Sequence, residues 1–226
     1  MPFSVAVSGA IAVFVKTPGL SPVKTRLAVK LGQQSAEAFH LASAQAVSSV
    51  VQQLSDIQAY YAVAEQSALN HNYWQALPCL WQGEGGLGAR MAHIYQRLLA
   101  KHDFVILVGA DIPQMTLPML FSASAWLSDN KPQLAFAPSD DGGFWLFGGN
   151  CNIPQTIWID VKYSVADTGD QFLEKVQQLG DVKILDSLRD VDELSDLILL
   201  QKTLFKLKDP VPEQQALIHF LDSLSI

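Results

Sequence analysis

Two short apolar runs constrain the fold of this 226-residue chain more than any other feature. Residues 9–16 read GAIAVFVK and residues 104–108 read FVILV, and loop-forming or polar residues follow each run at once. Strands that are apolar at nearly every position are typical of parallel sheets whose two faces are both covered by helices. The two runs therefore predict central strands of such a sheet.

The rest of the chain alternates between helical and strand-like patterns. Residues 36–54 repeat apolar side chains at three- and four-residue spacing, which predicts a helix with Ser35 near its start, whereas the prolines of residues 17–24 predict a loop. This alternation predicts a three-layer α/β/α sandwich on a mostly parallel sheet, folded as one domain over residues 1–226. The further predicted strands are 57–63, 80–82, 134–137, 144–147 and 182–185, and the further predicted helices are 87–102, 117–127, 168–179, 193–205 and 213–224.

The net charge of the chain limits the classes of partner that it is expected to bind. Fifteen Lys and Arg against 22 Asp and Glu give a net charge of −7, whereas nucleic-acid binding depends on Lys and Arg that displace phosphate counterions. No segment approaches the roughly 20 apolar residues that a bilayer crossing needs, and residues 1–15 lack the cations of a signal peptide. We therefore expect a cytoplasmic protein without a nucleic-acid or membrane partner. Its two cysteines, Cys79 and Cys151, form no CxxC pair and are predicted to be free thiols.

Four predicted loops and a further pair of carboxylates carry the candidate functional residues, because ligands of open parallel sheets bind beyond the carboxyl ends of the strands. The first loop, residues 16–27, is stiffened by two prolines and contains the cations Lys16, Lys24 and Arg26. Such cations can hold one anion through charge-assisted hydrogen bonds. A solvated basic turn before a helix is an equally favoured interpretation, and Val23 in place of glycine excludes a Walker A loop.

The second loop, residues 82–91, is rich in glycine. Glycines at the start of a helix let a ligand approach the backbone closely. Gly83, Gly85 and Gly88 also match the GxGxxG pattern, and Asp111 follows the next strand about 20 residues on, as in dinucleotide-binding folds. This pattern supports an alternative, an NAD-binding oxidoreductase. Against this alternative, the strand-and-helix segment that contains the pattern begins in mid-chain, and its strand is very short.

The remaining loops carry carboxylates. Asp111 directly follows the buried run at 104–108, two acids precede two glycines at 140–143, and Asp190 and Asp192 follow the predicted strand at 182–185. Carboxylate oxygens suit Mg²⁺ or Mn²⁺ beside substrate phosphates. Each acid taken alone is also typical of a turn or a helix cap. The sequence has no HExxH, zinc-spaced or GxSxG motif, and its five histidines are predicted to be structural.

In combination these loops resemble a bacterial family of uncharacterised transferases with the glycosyltransferase A fold, associated with radical-SAM and selenoprotein genes. The resemblance extends over residues 12–197, and Ser21 departs from it because the family more often has glycine there. In chain order the blocks that carry it are Lys16 with Pro18 and residues 24–27 (KTRL), Gln82 with residues 86–88 (GLG) and 90–91 (RM), Gly109 with Asp111 and Pro113, Pro138 with residues 141–143 (DGG), and residues 190–192 (DVD) with 196–197 (DL).

The layout is also similar to that of small nucleotidylyltransferases, including molybdenum-cofactor and phospholactate guanylyltransferases. The resemblance implies a nucleotide-diphospho-sugar transferase-like fold in which Asp111 and Asp192 hold Mg²⁺ or Mn²⁺, with Asp141 as a second-rank metal candidate. It implies that Asp111 and Lys24 are catalytic. The other implied substrate-binding residues are Lys16 and Arg26, which would hold phosphates together with Lys24, and Gln82, Gly86, Gly88, Arg90, Asp141, Gly142 and Gly143.

The resemblance implies glycosyl transfer from a nucleotide-diphosphate sugar as the first expectation. The alternative is nucleotidyl transfer from a nucleoside triphosphate to a small phosphorylated acceptor. Both reactions need a metal and cations around the diphosphate, because these stabilise negative charge on the leaving group. A non-catalytic nucleotide-binding module remains a further alternative, since the sequence identifies no general base.

Overall fold

The structure is a computed structural model that describes residues 8–224. These residues form one seven-stranded sheet and eight α-helices. The strands are β1 (Gly9–Val15), β2 (Ile57–Val63), β3 (Cys79–Trp81), β4 (Phe104–Gly109), β5 (Gln133–Pro138), β6 (Phe144–Gly149) and β7 (Asp181–Ile184). The helices are α1 (Thr25–Leu31), α2 (Gln33–Val51), α3 (Leu87–Leu99), α4 (Leu117–Leu127), α5 (Gln155–Ile159), α6 (Thr168–Val176), α7 (Leu194–Leu204) and α8 (Pro212–Ser223).

The strand order is β3-β2-β1-β4-β6-β5-β7, and β6 alone among these strands runs antiparallel to its neighbours. The chain builds outwards from β1 to β2 and β3, then crosses to the other side of β1 and enters β4. The loops that follow β1 and β4 therefore diverge, and such a switch in direction opens a crevice at the carboxyl ends of these two strands. The predicted mostly parallel sheet is confirmed.

Strand β1 shows why helices cover both faces of the sheet. Its side chains alternate, so that Ile11 and Val13 pack in one core with α2 and α4, whereas Ala10 and Ala12 pack in the opposite core with α3. Helices α5 and α6 complete the second core. The three-layer α/β/α prediction is confirmed, because a strand buried on both faces needs helices on each side.

A third apolar cluster lies outside α2. Leu27 from α1, Phe39 from α2, Leu200 from α7 and Leu217 from α8 are all buried in it. This packing attaches the C-terminal helices to the outer face of α2. It also fixes the segment that precedes α7 beside the start of α1.

The structure differs from the sequence-based expectation mainly in two short helices. Helices α1 and α5 were not predicted, because seven and five residues are too few to show a clear helical period. Two predicted helices end about three residues early, at Leu99 and Val176. Cys79 and Cys151 are free, as predicted. Between residues 8 and 224, every helix is too short or too polar to cross a membrane.

Candidate active site

Three loops that are distant in sequence meet at the carboxyl edge of the sheet, beside the crevice between β1 and β4. The Nζ atom of Lys24 lies 3.1 Å from Oδ2 of Asp111 and 3.0 Å from Oδ1 of Asp192. The Lys24 side chain is 7% exposed, whereas those of Asp111 and Asp192 are 37% and 43% exposed. A largely buried cation therefore joins two carboxylates whose outer faces remain accessible.

Local geometry explains how each of these groups is held in place. Lys24 precedes α1 with φ 43° and ψ 45°, a left-handed conformation that costs energy for a residue with a side chain. Asp111 follows the buried strand β4 after one further residue. The backbone N–H of Asp192 donates to Oδ2 of Asp196 at 3.1 Å, and Asp196 also accepts the N–H of Glu193 in the capping box of α7.

The ion pairs set the charges of the buried groups. Burial alone would lower the pKa of Lys24, but Asp111 and Asp192 outweigh it and raise that pKa above its ordinary value. Burial likewise acts to raise the pKa of Asp111, but Lys24 holds it below its usual range. Lys24 and Asp111 are therefore both charged at neutral pH.

A third carboxylate, Asp190, completes an acidic triad with Asp111 and Asp192. One carboxylate oxygen from each residue lies within 4.8 Å of the other two. Three carboxylates and the Lys24 ammonium carry a formal charge of −2, which a divalent cation would balance. The residues present thus fit Mg²⁺ or Mn²⁺, both of which prefer oxygen ligands.

Ionisation of Asp190 is the step that makes this cluster of carboxylates unfavourable for stability. Burial, together with Asp111, Asp141 and Asp192, raises the pKa of Asp190 to about 6. A carboxyl group with a raised pKa in the folded state destabilises the fold when it ionises, so its contribution to stability falls as pH rises from about 4 to about 6.

Asp190→Asn should therefore stabilise the metal-free protein at pH 7. We expect a gain on the order of 1 kcal/mol, because the group is partly exposed and solvent screens the repulsion. The gain should shrink as pH falls and vanish below about pH 3, where Asp190 is protonated in both the folded and the unfolded state. Thermal melts in EDTA across this pH range measure it, and a less stable Asn variant at pH 7 would contradict the triad's electrostatics.

The other two predicted phosphate ligands lie at the rim of the same site. The Arg26 side chain is 70% exposed, with Nη1 3.8 Å from Oδ2 of Asp192, and Lys16 is exposed at the end of β1. Together with Lys24 they line a cavity of about 590 Å³, here called the basic cavity, which also includes Asp111 and residues of the first loop. The structure thus brings the three predicted cations together.

His40 is a site residue that sequence reasoning did not identify. It lies buried on α2 and lines the basic cavity, with Nε2 2.9 Å from the backbone oxygen of Lys16. Burial lowers the pKa of His40. Its ring meets Trp74 edge-on, and the indole Nε1 of Trp74 donates to the hydroxyl of Thr17 at 3.0 Å. These contacts hold the start of the first loop, residues 16–27, in place. Sequence reasoning missed them because His40 occupies one of the buried positions that any amphipathic helix has.

The glycine-rich loop uses several of its predicted ligand residues for contacts within the protein. The side-chain amide of Gln82 donates to the backbone oxygens of Val15 at 3.2 Å and Ala62 at 2.8 Å. Arg90 Nε donates to the backbone oxygen of Gly85 at 2.9 Å. Gln82 also lines the basic cavity, and the substrate roles of these residues stay predictions.

The same loop counts against the oxidoreductase alternative. Residues 83–88 follow β3, an edge strand of the sheet, whereas a dinucleotide fingerprint follows the first central strand. A Cβ atom at Gly88 would lie 2.2 Å from the backbone oxygen of Trp158. This glycine therefore permits close packing of α3 against α5.

Gly88→Ala should destabilise the protein by about 2–3 kcal/mol, since the methyl group would overlap backbone that cannot move freely. The matched control is Gly86→Ala, because nothing lies within 4 Å of a Cβ at Gly86. That change should cost less than about 0.5 kcal/mol. Urea unfolding of both variants tests this, and equal stabilities would contradict the packing role.

The turn between β5 and β6 is also built from internal contacts. Oδ1 of Asp141 accepts hydrogen bonds from the Ser139 hydroxyl and from the backbone N–H of Gly143, the latter at 2.9 Å. Gly142 has φ +88°, and a Cβ there would lie 1.8 Å from the backbone oxygen of Ala166. Only glycine fits this position. The predicted ligand roles of Asp141, Gly142 and Gly143 are compatible with these contacts and stay predictions.

Comparisons with known proteins identify the family of this chain and structures that share its fold. Residues 46–165 match a family described as "Uncharacterized protein conserved in bacteria (DUF2064)". No protein of curated function matches the chain.

Solved structures share the fold. A protein of Desulfovibrio desulfuricans G20, provisionally named a nucleotide-diphospho-sugar transferase, has 24% identity and a TM-score of 0.85, with 96% of each chain covered. The 4-diphosphocytidyl-2C-methyl-D-erythritol synthase of Anaerococcus prevotii DSM 20548 has 10% identity and a TM-score of 0.52, covering 85% of this chain and 94% of its own. A CMP:2-keto-3-deoxy-manno-octonic acid synthetase complexed with CTP has 9% identity and a TM-score of 0.53, covering 88% and 99%.

Proposed function

Since the chain belongs to the DUF2064 family of proteins conserved in bacteria and has the fold of nucleotide-diphospho-sugar transferases, we propose that it is a metal-dependent glycosyltransferase. Its donor would be a nucleotide-diphosphate sugar bound in the basic cavity. The observation that carries this proposal is the position of Lys24 between Asp111 and Asp192, beside the crevice where ligands of such sheets bind.

The roles of the residues follow from their charges. Asp111 and Asp192 would hold Mg²⁺ or Mn²⁺ through the carboxylate oxygens that face away from Lys24. When bound, the metal would neutralise charge on the donor's diphosphate. Lys16 and Arg26, which are exposed at the rim, would bind the phosphates, and the Lys24 ammonium would stabilise negative charge on the leaving diphosphate.

Nucleotidyl transfer is the second candidate, and one observation favours it. Two solved structures with this fold are named as a cytidyl-transferring synthase and as a synthetase complexed with CTP. A nucleoside triphosphate in the basic cavity would likewise present charged phosphates to Lys16, Lys24 and Arg26. The two reactions differ in the bond that breaks, and therefore in whether a nucleoside diphosphate or pyrophosphate is released.

A ligand screen followed by product analysis tests the proposal. Thermal shifts with nucleoside diphosphates, triphosphates, nucleotide sugars and NAD, each with and without Mg²⁺ or Mn²⁺, should show metal-dependent stabilisation by phosphorylated nucleosides. Glycosyl transfer then releases a nucleoside diphosphate from a nucleotide sugar. Pyrophosphate from a triphosphate would establish the second candidate, and binding without turnover would indicate a non-catalytic module. Saturable, metal-independent NAD binding below about 100 μM, which corresponds to about −5.5 kcal/mol, would overturn the transferase proposal.

A further inference from the structure

A second cavity adjoins the basic cavity on the other side of Asp111. It has a volume of about 300 Å³ and is here called the aromatic cavity, because Phe144, Trp145 and Tyr163 line it together with Asp111, Asp141 and Asp190. Asp111 lines both cavities, whereas Asp190 lines the aromatic cavity and Asp192 lines the basic cavity. A group that passes from one cavity to the other would therefore cross at Asp111.

The two cavities differ in charge. The basic cavity includes Lys16, Lys24 and Arg26. The described residues that line the aromatic cavity include three carboxylates and no Lys, Arg or His. A phosphate group placed there would meet no side-chain cation among these residues, and Asp141 lies outside the triad, so a metal bound to the triad would leave this carboxylate to repel the anion.

The polar atoms of two aromatic side chains are already used within the protein. The Tyr163 hydroxyl donates to the backbone oxygen of Trp158 at 2.8 Å, and Trp145 Nε1 donates to the backbone oxygen of Asp186 at 3.1 Å. Phe144 stacks on Phe172 with ring centroids 5.1 Å apart and is held by it. Trp145 is only 3% exposed, so the apolar surface offered to a ligand comes mainly from Phe144 and Tyr163, which are partly exposed, while Asp141 and Asp190 offer hydrogen-bond acceptors.

Apolar ring surface beside hydrogen-bond acceptors suits a molecule with C–H faces and hydroxyl donors. A divalent metal together with Lys24 would balance the three charges of the triad, so Asp141 would be the one carboxylate among the described residues of the aromatic cavity left to attract a cationic ligand.

We propose that the aromatic cavity binds the acceptor of the transfer reaction, and that this acceptor is a small uncharged polyhydroxy compound. This inference rests on the function proposed above. The acceptor's hydroxyl oxygen forms a bond to the anomeric carbon of the donor sugar, and the bond from that carbon to the diphosphate oxygen breaks. The nucleoside diphosphate leaves with the electron pair, and the acceptor's proton is released to water. A small phosphorylated acceptor, expected for nucleotidyl transfer, does not fit this cavity.

The test uses probe pairs that share a carbon skeleton and differ in charge: glycerol with glycerol 3-phosphate, and glucose with glucose 6-phosphate, with ethanolamine as a cationic probe. The full-length protein is supplied with Mg²⁺ and the nucleotide sugar that binds best, and release of the nucleoside diphosphate is measured. We expect the uncharged member of at least one pair to raise release at least tenfold over its phosphorylated partner. Greater stimulation by a phosphorylated probe or by ethanolamine, or by none of the probes, overturns the acceptor proposal.

A variant that adds a positive charge to the aromatic cavity provides a second test of the acceptor proposal. Val165 is 42% exposed and lines the aromatic cavity, so Val165→Lys adds a cation there without disturbing buried packing. It should make glycerol 3-phosphate and glucose 6-phosphate bind at least tenfold more tightly, as measured by calorimetry with nucleoside diphosphate and Mg²⁺ present. The matched control is Val29→Lys on α1, where Val29 is 81% exposed and lines neither cavity.

The two proposals fail in different ways. Absence of metal-dependent nucleoside diphosphate binding in the unaltered protein overturns the proposed function, and the acceptor proposal falls with it. Intact donor binding together with equal responses of Val165→Lys and Val29→Lys overturns the acceptor proposal alone.

Discussion

Asp111→Asn is expected to reduce Mg²⁺-dependent nucleoside diphosphate affinity at least 100-fold, about 2.7 kcal/mol. The substitution removes a carboxylate that borders both cavities and belongs to the acidic triad. Stability should change by less than about 1 kcal/mol, because the Asn oxygen still accepts from Lys24 and the repulsion within the triad falls. Isothermal calorimetry gives the affinity and thermal melting gives the stability.

Asp181→Asn is the matched control for this experiment. Asp181 is exposed and begins β7, at the amino edge of the sheet and therefore at the edge opposite the site. Its substitution should leave metal-dependent affinity unchanged. Undiminished Mg²⁺-nucleotide affinity in Asp111→Asn would refute the assignment of Asp111 to the metal.

Lys24→Gln is expected to have the largest effect on stability among the charged residues of the site. The change leaves Asp111, Asp190 and Asp192 close together without their cation. Removing one partner of a fully buried ion pair costs about 3–5 kcal/mol, and because these carboxylates are partly exposed we expect about 2–3 kcal/mol. Urea unfolding in EDTA measures this loss. Mg²⁺ should restore more stability to this variant than to the unaltered protein, since the metal would replace the missing charge.

Arg26→Gln separates the structural contribution of Lys24 from its contribution to ligand binding. Because the Arg26 side chain is 70% exposed, its substitution should change stability by less than about 0.5 kcal/mol. Both variants should lose at least tenfold in affinity for a nucleoside diphosphate, since each lost charge-assisted contact costs about 1.5–3 kcal/mol. Affinity for the nucleoside alone should change far less. Equal stabilities of the two variants would contradict the role of Lys24 in the triad.

The fold could be predicted because its strongest signals are local. Strands β1 and β4 are apolar throughout, and the helices that follow them repeat apolar side chains at helical spacing. The strand order could not be predicted, since it is set by pairing between strands that are distant in sequence. The antiparallel direction of β6 relative to β5 had a local signal that the sequence analysis did not use, because the five residues 139–143 between the two strands are too few for a parallel connection.

The sequence predicted which residues belong to the candidate site better than it predicted the contacts between them. Lys24, Arg26, Asp111 and Asp192 were identified from their positions after strands and from the family resemblance. Their mutual contacts depend on how the chain folds back on itself. Ser164 gave no signal at all, although its left-handed backbone, with φ 63°, places it at the border of both cavities.

The ion pairs of Lys24 also bear on how the molecule assembles. They join Lys24 to partners 87 and 168 positions further along the chain. Closing so long a loop costs entropy before its contacts form, and pairings of this kind are slow to form. Asp192 precedes α7, which packs with α8 against the outer face of α2 and contributes no strand to the sheet. We therefore expect that partial unfolding which releases α7 and α8 would separate Asp192 from Lys24 while leaving the seven strands paired.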